Sequence, residues 1–182
     1  MDIKSALTVV FTIIALIFCI ASASTGFVKY ETDSRRTFIG IIETVTYNKD
    51  NGVTSRTDAP LGCHKAQETR DANAAFIILA ILALGVAAIV GLIRVFAGNH
   101  AALGKYVYFG CVVCAALFSG IAFGLAFALY DGEYCSSRYK DSNGAEIGAS
   151  GFLALIGCIC AIVAAVLACV FSANSDFGGE PK

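Results

Sequence analysis

The stretch Thr25–Asn73, TGFVKYETDSRRTFIGIIETVTYNKDNGVTSRTDAPLGCHKAQETRDAN, decides how the rest of the chain is read. It carries seven basic and seven acidic side chains and one cysteine, Cys63, and it is set between two long apolar runs. A polar block bounded in this way reads as a loop standing in water between two segments that avoid it. Within it, Thr37 to Tyr47 predicts a β-strand. Ile39, Ile41, Val45 and Tyr47 fall on one face by the two-residue period, and Phe38, Ile42, Thr44 and Thr46 fall on the other. Asn48-Lys49-Asp50-Asn51-Gly52 has turn chemistry, and Val53-Thr54-Ser55 can return antiparallel before Pro60 and Gly62 end the segment. A charged linker without structure is the alternative, and the alternation of β-branched residues weighs against it. From His64 to Asp71 the residues are polar but helix-forming, which predicts a stalk leading into the next apolar run.

Working outward, the chain of 182 residues is 57% hydrophobic and 15% charged, with a mean hydropathy of +0.73. A soluble chain of this size could not hide that much apolar surface, so lipid is the expected solvent. The runs Ala6–Ala23, Ala74–Val95, Tyr106–Tyr130 and Ala149–Phe171 meet the roughly 20 apolar residues that a bilayer crossing needs. None holds an acidic or basic residue in its central part; Lys4, Arg94 and Lys105 sit at run ends, where they can snorkel. The expectation is an all-α integral membrane protein: a four-transmembrane-helix bundle with a small extracellular β-sheet cap. It forms one domain, 1–182, with spans near 6–23, 74–95, 106–130 and 149–171 and outer loops 25–73 and 131–146. Lys4, the first apolar core and Ala21-Ser22-Ala23 also resemble a cleavable signal, but the core is longer than usual, so it is read as a retained helix.

In the second loop, Asp131 to Cys135 opens a polar segment that closes near Asn143-Gly144, with Glu146 placed to favour the start of the fourth helix. The tail from Asn174 to Lys182 is read as disordered and matches no lipidation motif. Aromatic girdles are expected from Phe27, Tyr30, Tyr130 and Tyr134 at the loop side and Tyr106 and Tyr108 opposite. Small residues four apart allow close helix approach: Ala83, Ala87 and Gly91; Ala116, Gly120 and Gly124; Gly157, Ala161, Ala165 and Cys169. These stripes predict a tight left-handed bundle.

Six of eight cysteines lie inside the spans, where cysteine behaves as a small hydrophobe. Cys111-x-x-Cys114 lacks the βαβ context or histidines of a redox or zinc motif, and Cys169 is a weak palmitoylation candidate. Cys63 and Cys135 lie one in each polar loop and share a side whatever the orientation. On an oxidising side they would pair, closing about 70 residues for an upper bound of ~4 kcal/mol. His64 is read as a solvated residue. There is no phosphate loop, H-E-x-x-H or G-x-S-x-G, and no ionisable residue mid-span to mark an ion path. The sequence therefore offers no catalytic, cofactor or metal site, and a net charge of −1 gives no field for nucleic acid.

Orientation is read with the termini cytoplasmic and both loops outside a plasma membrane, an intracellular organelle membrane being the alternative. The positive-inside count leans the other way, nine basic residues in the loops against four on the termini side, but long loops translocate despite charge. Four spans with a large, sheet-like first loop resemble the claudin-like architecture. Cys63 with Arg70-Asp71-Ala72-Asn73-Ala74-Ala75-Phe76-Ile77-Ile78, and Tyr130-Asp131-Gly132-Glu133-Tyr134-Cys135 with Gly148-Ala149-Ser150-Gly151-Phe152, resemble more narrowly the amastins, surface proteins of trypanosomatid parasites. The chain has no Trp, so the Trp-containing first-loop signatures of both groups are absent. The expected role is structural or interactive. Lateral assembly would occur in the membrane, and contact would be made through the cap at Phe38, Ile39, Ile41 and Tyr47. Its partners would be lipid, a second copy or other membrane proteins. An accessory subunit of a larger membrane complex, such as a channel or respiratory assembly, is the alternative.

Overall fold

A computed structural model describes residues 3–31, 33–40, 43–57, 63–97, 102–134, 137–138 and 145–176. Among these, four helices are long and apolar enough to cross a membrane: α1 (Ile3–Ser24), α2 (His64–Ala97), α3 (Ala102–Asp131) and α4 (Ala149–Asp176). Each packs chiefly on two neighbours, so that α1, α2, α3 and α4 close a ring. α2 starts at His64, as the stalk reading expects, and runs unbroken into its apolar part. α4 carries helical backbone to Asp176, past the start of the expected disordered tail, whose remainder lies outside the described residues.

The bundle interior is made of small side chains. Ala15, Cys19, Ala80, Ala87, Ala115, Ala161 and Ala164 are fully buried, joined by Leu84, Val112 and Tyr108. The large branched residues point outward, among them Leu82, Ile89, Ile93, Leu117, Ile162 and Val166. This is the reverse of a water-soluble core, where the largest apolar groups are hidden first. It suits a medium that solvates leucine as well as protein does, with small residues at the contacts so that the backbones approach closely.

At one end of the bundle both loops contribute to a single antiparallel sheet. Its strands are β1 (Gly26–Glu31), β2 (Arg35–Gly40), β3 (Thr44–Asn48) and β4 (Thr54–Thr57) from the first loop. β5 (Glu133–Tyr134) and β6 (Ser137–Arg138) form a separate short pair, and β7 (Ala145–Ile147) joins the large sheet, whose order is β4-β3-β2-β1-β7. The single strand expected over Thr37–Tyr47 is instead a hairpin, in which Gly40 N donates to Glu43 O at 3.0 Å and β2 pairs with β3. The turn expected at Asn48–Gly52 is present, with Gly52 at φ +68° and Asn48 N donating to Val53 O.

A register shift between Gly26 and Val28 turns both Phe27 and Val28 inward. With Ile39 they meet Ala66 and Ile77 of α2, Ala122, Ala126 and Leu129 of α3, and Ala154 of α4 in a second core under the sheet. Phe27 is therefore a core residue and not a girdle residue. Tyr108 is buried as well, whereas Tyr106 is exposed. Gly148 sits where β7 hands over to α4. Its N–H donates to Phe27 O at 2.8 Å, and an added Cβ would fall onto the Gly26 carbonyl. Glu146, expected to serve the start of α4, lies within β7 and pairs with Lys29.

Candidate interaction surface

Cross-strand partners share a face, so the pairing fixes what the sheet presents. Glu146, Lys29, Phe38, Val45 and Arg56 are successive partners across the five strands and form one row. Glu31, Arg36 and Tyr47 form the next row on the same face. Glu31 is its hub. Its carboxylate accepts from Arg36 Nη2 at 2.7 Å, Lys29 Nζ at 2.8 Å and Lys49 Nζ at 3.0 Å. These partners, Arg36 first, hold the Glu31 carboxyl well below the usual carboxylate range. Glu31 and Glu146 in turn push the Lys29 ammonium above its ordinary value. Arg56 Nη1 meets Glu43 Oε1 at 3.1 Å across the edge of the sheet. All these pairs are partly exposed, so they orient the surface more than they stabilise it.

Between this face and the ends of α1 and α4 lies a groove of about 880 Å³. Phe38, Val45, Ile147, Ala23 and Ala149 give it apolar walls, and Lys29, Glu43 and Arg56 supply its charges. Of the four residues expected to make contacts, Phe38 lines the groove and Tyr47 is 41% exposed beside it. Ile39 is 7% exposed and packs inward, and Ile41 lies outside the described residues. The separation of Ile39 from Tyr47 follows from the hairpin. A continuous strand would place them on one face, but Ile39 pairs with Thr44, and Tyr47 pairs with Arg36.

The free thiols among the described residues are Cys19, Cys111, Cys114, Cys158, Cys160 and Cys169. Cys63 is not one of them, and Cys135 lies outside the described residues. No three His, Cys, Asp or Glu side chains come together as metal ligands among the described residues. His64 is exposed and faces Glu68 at 3.3 Å one turn along α2.

The helix-packing residues divide. Ala87 and Ala161 are buried and Ala83 is half-buried against the core. A Cβ on Gly157 would meet Cys19 Sγ at 2.9 Å, and one on Gly91 would meet Val9 Cγ2 at 2.7 Å and Tyr108 Cε2 at 3.1 Å. Gly120 faces Cys158 at ordinary contact distance, 3.6 Å. Gly124 has nothing within 4 Å of an added Cβ and lies on the outer surface of α3.

No protein-family model matches the chain, and no curated protein matches it. The likeness to amastins therefore rests on the quoted motifs alone, and that to claudins on four apolar helices with a sheet-like first loop.

Several site features were not foreseen from the sequence. β1 is one, although Val28 and Tyr30 alternate with Lys29 and Glu31 as a half-buried strand would. The Glu31 hub is another, since it depends on three cations from β1, β2 and the turn after β3. A third is Arg70, whose Nε and Nη1 are buried without a hydrogen-bond partner among the described residues, Asp71 Oδ1 lying 3.8 Å from Nε.

Proposed function

We propose that the chain is a four-span protein of the plasma membrane, non-enzymatic, with cytoplasmic termini. In this reading both polar loops form an extracellular cap through which it makes structural contacts. The single observation that carries it is the inside-out bundle, with alanine and glycine at the helix contacts and isoleucine, leucine and valine facing out. The amastin-like motifs favour a surface protein within the claudin-like architecture. Pairing of Cys63 with Cys135 would tie the two loops together, and it is supported by the absence of Cys63 from the free thiols. Membrane-impermeant labelling of sealed vesicles tests the topology. Residues 25–73 and 131–146 should react from the same face, and reaction from opposite faces would sink the proposal.

A second reading, an accessory subunit of a larger membrane assembly, is favoured by the outer surface of α3. There Gly110 and Cys114, and again Gly124 and Ala128, are exposed on either side of the exposed Leu117 and Ile121, offering two shallow notches flanking an apolar ridge to another helix. A stoichiometric partner retained in mild detergent would select this reading, and self-association or a monomer would select the first.

A further inference from the structure

We infer that the groove between the sheet and the ends of α1 and α4 holds the headgroup of a membrane phospholipid, its phosphodiester lying between Arg56 and Lys29. The inference rests on the membrane reading above and adds a ligand to it. α1 ends at Ser24 and α4 begins at Ala149, so Ala23 and Ala149 place the groove where the apolar spans stop and the headgroup layer starts.

Among the described residues that form ion pairs on the surrounding face, Lys29, Arg36, Lys49 and Arg56 stand against Glu31, Glu43 and Glu146, leaving one positive charge in excess. A single phosphodiester is its complement. Arg56 is the movable partner. Its side chain is 70% exposed, its pair with Glu43 is of the weak surface kind, and a guanidinium with five N–H donors can serve a second acceptor. The start of α4 opens into the same space and adds its dipole to the attraction.

The apolar walls say why the ligand is a lipid and not free phosphate. Phe38, Val45 and Ile147 offer hydrocarbon contact that inorganic phosphate cannot use. One turn below the groove, on the same helix faces as Ala23 and Ala149, Ile20 and Phe152 are half exposed, at 50% and 54%. Acyl chains leaving the groove would run onto these side chains. The volume suits a headgroup with its glycerol, being in the range of small-molecule sites.

The test is native mass spectrometry of the full chain in a neutral detergent. Phosphatidylglycerol is titrated in, with diacylglycerol of the same chains and inorganic phosphate as parallel arms. One phosphatidylglycerol per chain should be retained, diacylglycerol should not, and phosphate should not displace the lipid. Arg56→Gln should weaken retention about tenfold, the loss of one charge-assisted hydrogen bond. Glu43→Gln, which frees Arg56 from its competitor, should strengthen it, and Lys65→Gln on the exposed stalk should leave it unchanged. Equal retention of diacylglycerol, occupancy by phosphate alone, or equal effects of Arg56→Gln and Lys65→Gln would each overturn the inference. A detergent-dependent chain that takes no phospholipid overturns this inference alone. A chain monodisperse in water without detergent overturns the membrane reading as well.

Discussion

The contact between α1 and α4 can be tested at Gly157. A Cβ there would lie 2.9 Å from Cys19 Sγ, 0.5 Å inside the 3.4 Å at which ordinary contact begins. Cys19 is fully buried, so the sulfur has no open side to move into, and the helices must part or the side chain must leave its rotamer. Overpacking of this kind costs ~1–3 kcal/mol. Alanine offsets part of that by its helix propensity, worth ~1 kcal/mol over glycine. Gly157→Ala is therefore expected to destabilise by ~1 kcal/mol net, within the span these two effects allow. Gly124→Ala isolates the propensity effect, since nothing lies near its added Cβ, and it should be neutral or stabilising. The double variant supplies the decisive comparison. With Cys19→Ala the nearest atoms to the new methyl become Ala15 O at 3.4 Å and the residue 19 backbone N at 3.6 Å, both ordinary contacts. The steric cost should then vanish, giving a coupling of ~1–3 kcal/mol between the two sites. Reversible unfolding in mixed micelles, followed by circular dichroism, measures each corner of the cycle. If Gly157→Ala is as stable as Gly124→Ala, or shows no coupling to Cys19→Ala, the close approach of α1 and α4 is not what holds them.

Three further outcomes follow from the geometry. Tyr108 OH meets Thr12 Oγ1 at 2.6 Å and Thr8 O at 3.1 Å; because Thr12 can still donate to Thr8 O, Tyr108→Phe should cost only ~1 kcal/mol in micelle unfolding, and a loss of several would refute this account. Because the folded Glu31 carboxyl is depressed, its stabilisation is complete above the ordinary carboxyl value and is lost as pH falls below it toward the depressed one. Amide exchange of β1–β3, corrected for intrinsic rate, should therefore loosen below about pH 4.5 in the wild type and not in Glu31→Gln, where parallel profiles would exclude the hub. Alkylation of the denatured, unreduced chain should modify the six span cysteines and leave Cys63 and Cys135 for a second round after reduction; modification of both in the first round would remove the proposed pair.

The helices were legible because their signal is length and apolar content, which no tertiary contact overrides. His64 was readable as a helix start because the stalk residues are strong helix formers. The sheet was readable only in part, and the reason is parity. Thr37–Tyr47 has the alternation of one strand, and its single break signal is Gly40, where an added Cβ would lie 2.7 Å from Glu43 O. Once the chain folds back there, Ile39 and Tyr47 exchange their relation, and one goes into the core while the other stays in solvent. Phe27 and Tyr108 were misplaced for a different reason. An aromatic residue near the end of a span fits an interfacial belt and an interior site equally well in sequence, and the choice is made by what faces it. For Tyr108 that is Gly91, whose missing side chain lets the ring cross from α3 to α1. The groove drew on five strands from both loops and on two helix ends, a juxtaposition that no local pattern carries.

If lipid surrounds the four helices as proposed, hydrophobic burial cannot fix their register, so something else must. Here the candidates are polar clasps between named pairs. Tyr108 ties α3 to α1 through Thr12 and Thr8, and Asn73 Nδ2 ties α2 to Ala122 O of α3 at 3.1 Å. Ser22 and Ser150 each donate to the other's carbonyl at 2.9 Å, joining α1 to α4. A slip of one helical turn, about 5.4 Å, would break that reciprocal pair outright. It would also move the sheet, because β1 starts four residues after Ser22 and β7 ends three residues before Ser150. The pairing of Val28 with Ile147 and of Lys29 with Glu146 is thus set by the same two serines that set α1 against α4. The core under the sheet holds cap to bundle, and this clasp adds the register, placing Lys29 over the groove with the ends of α1 and α4 beneath it.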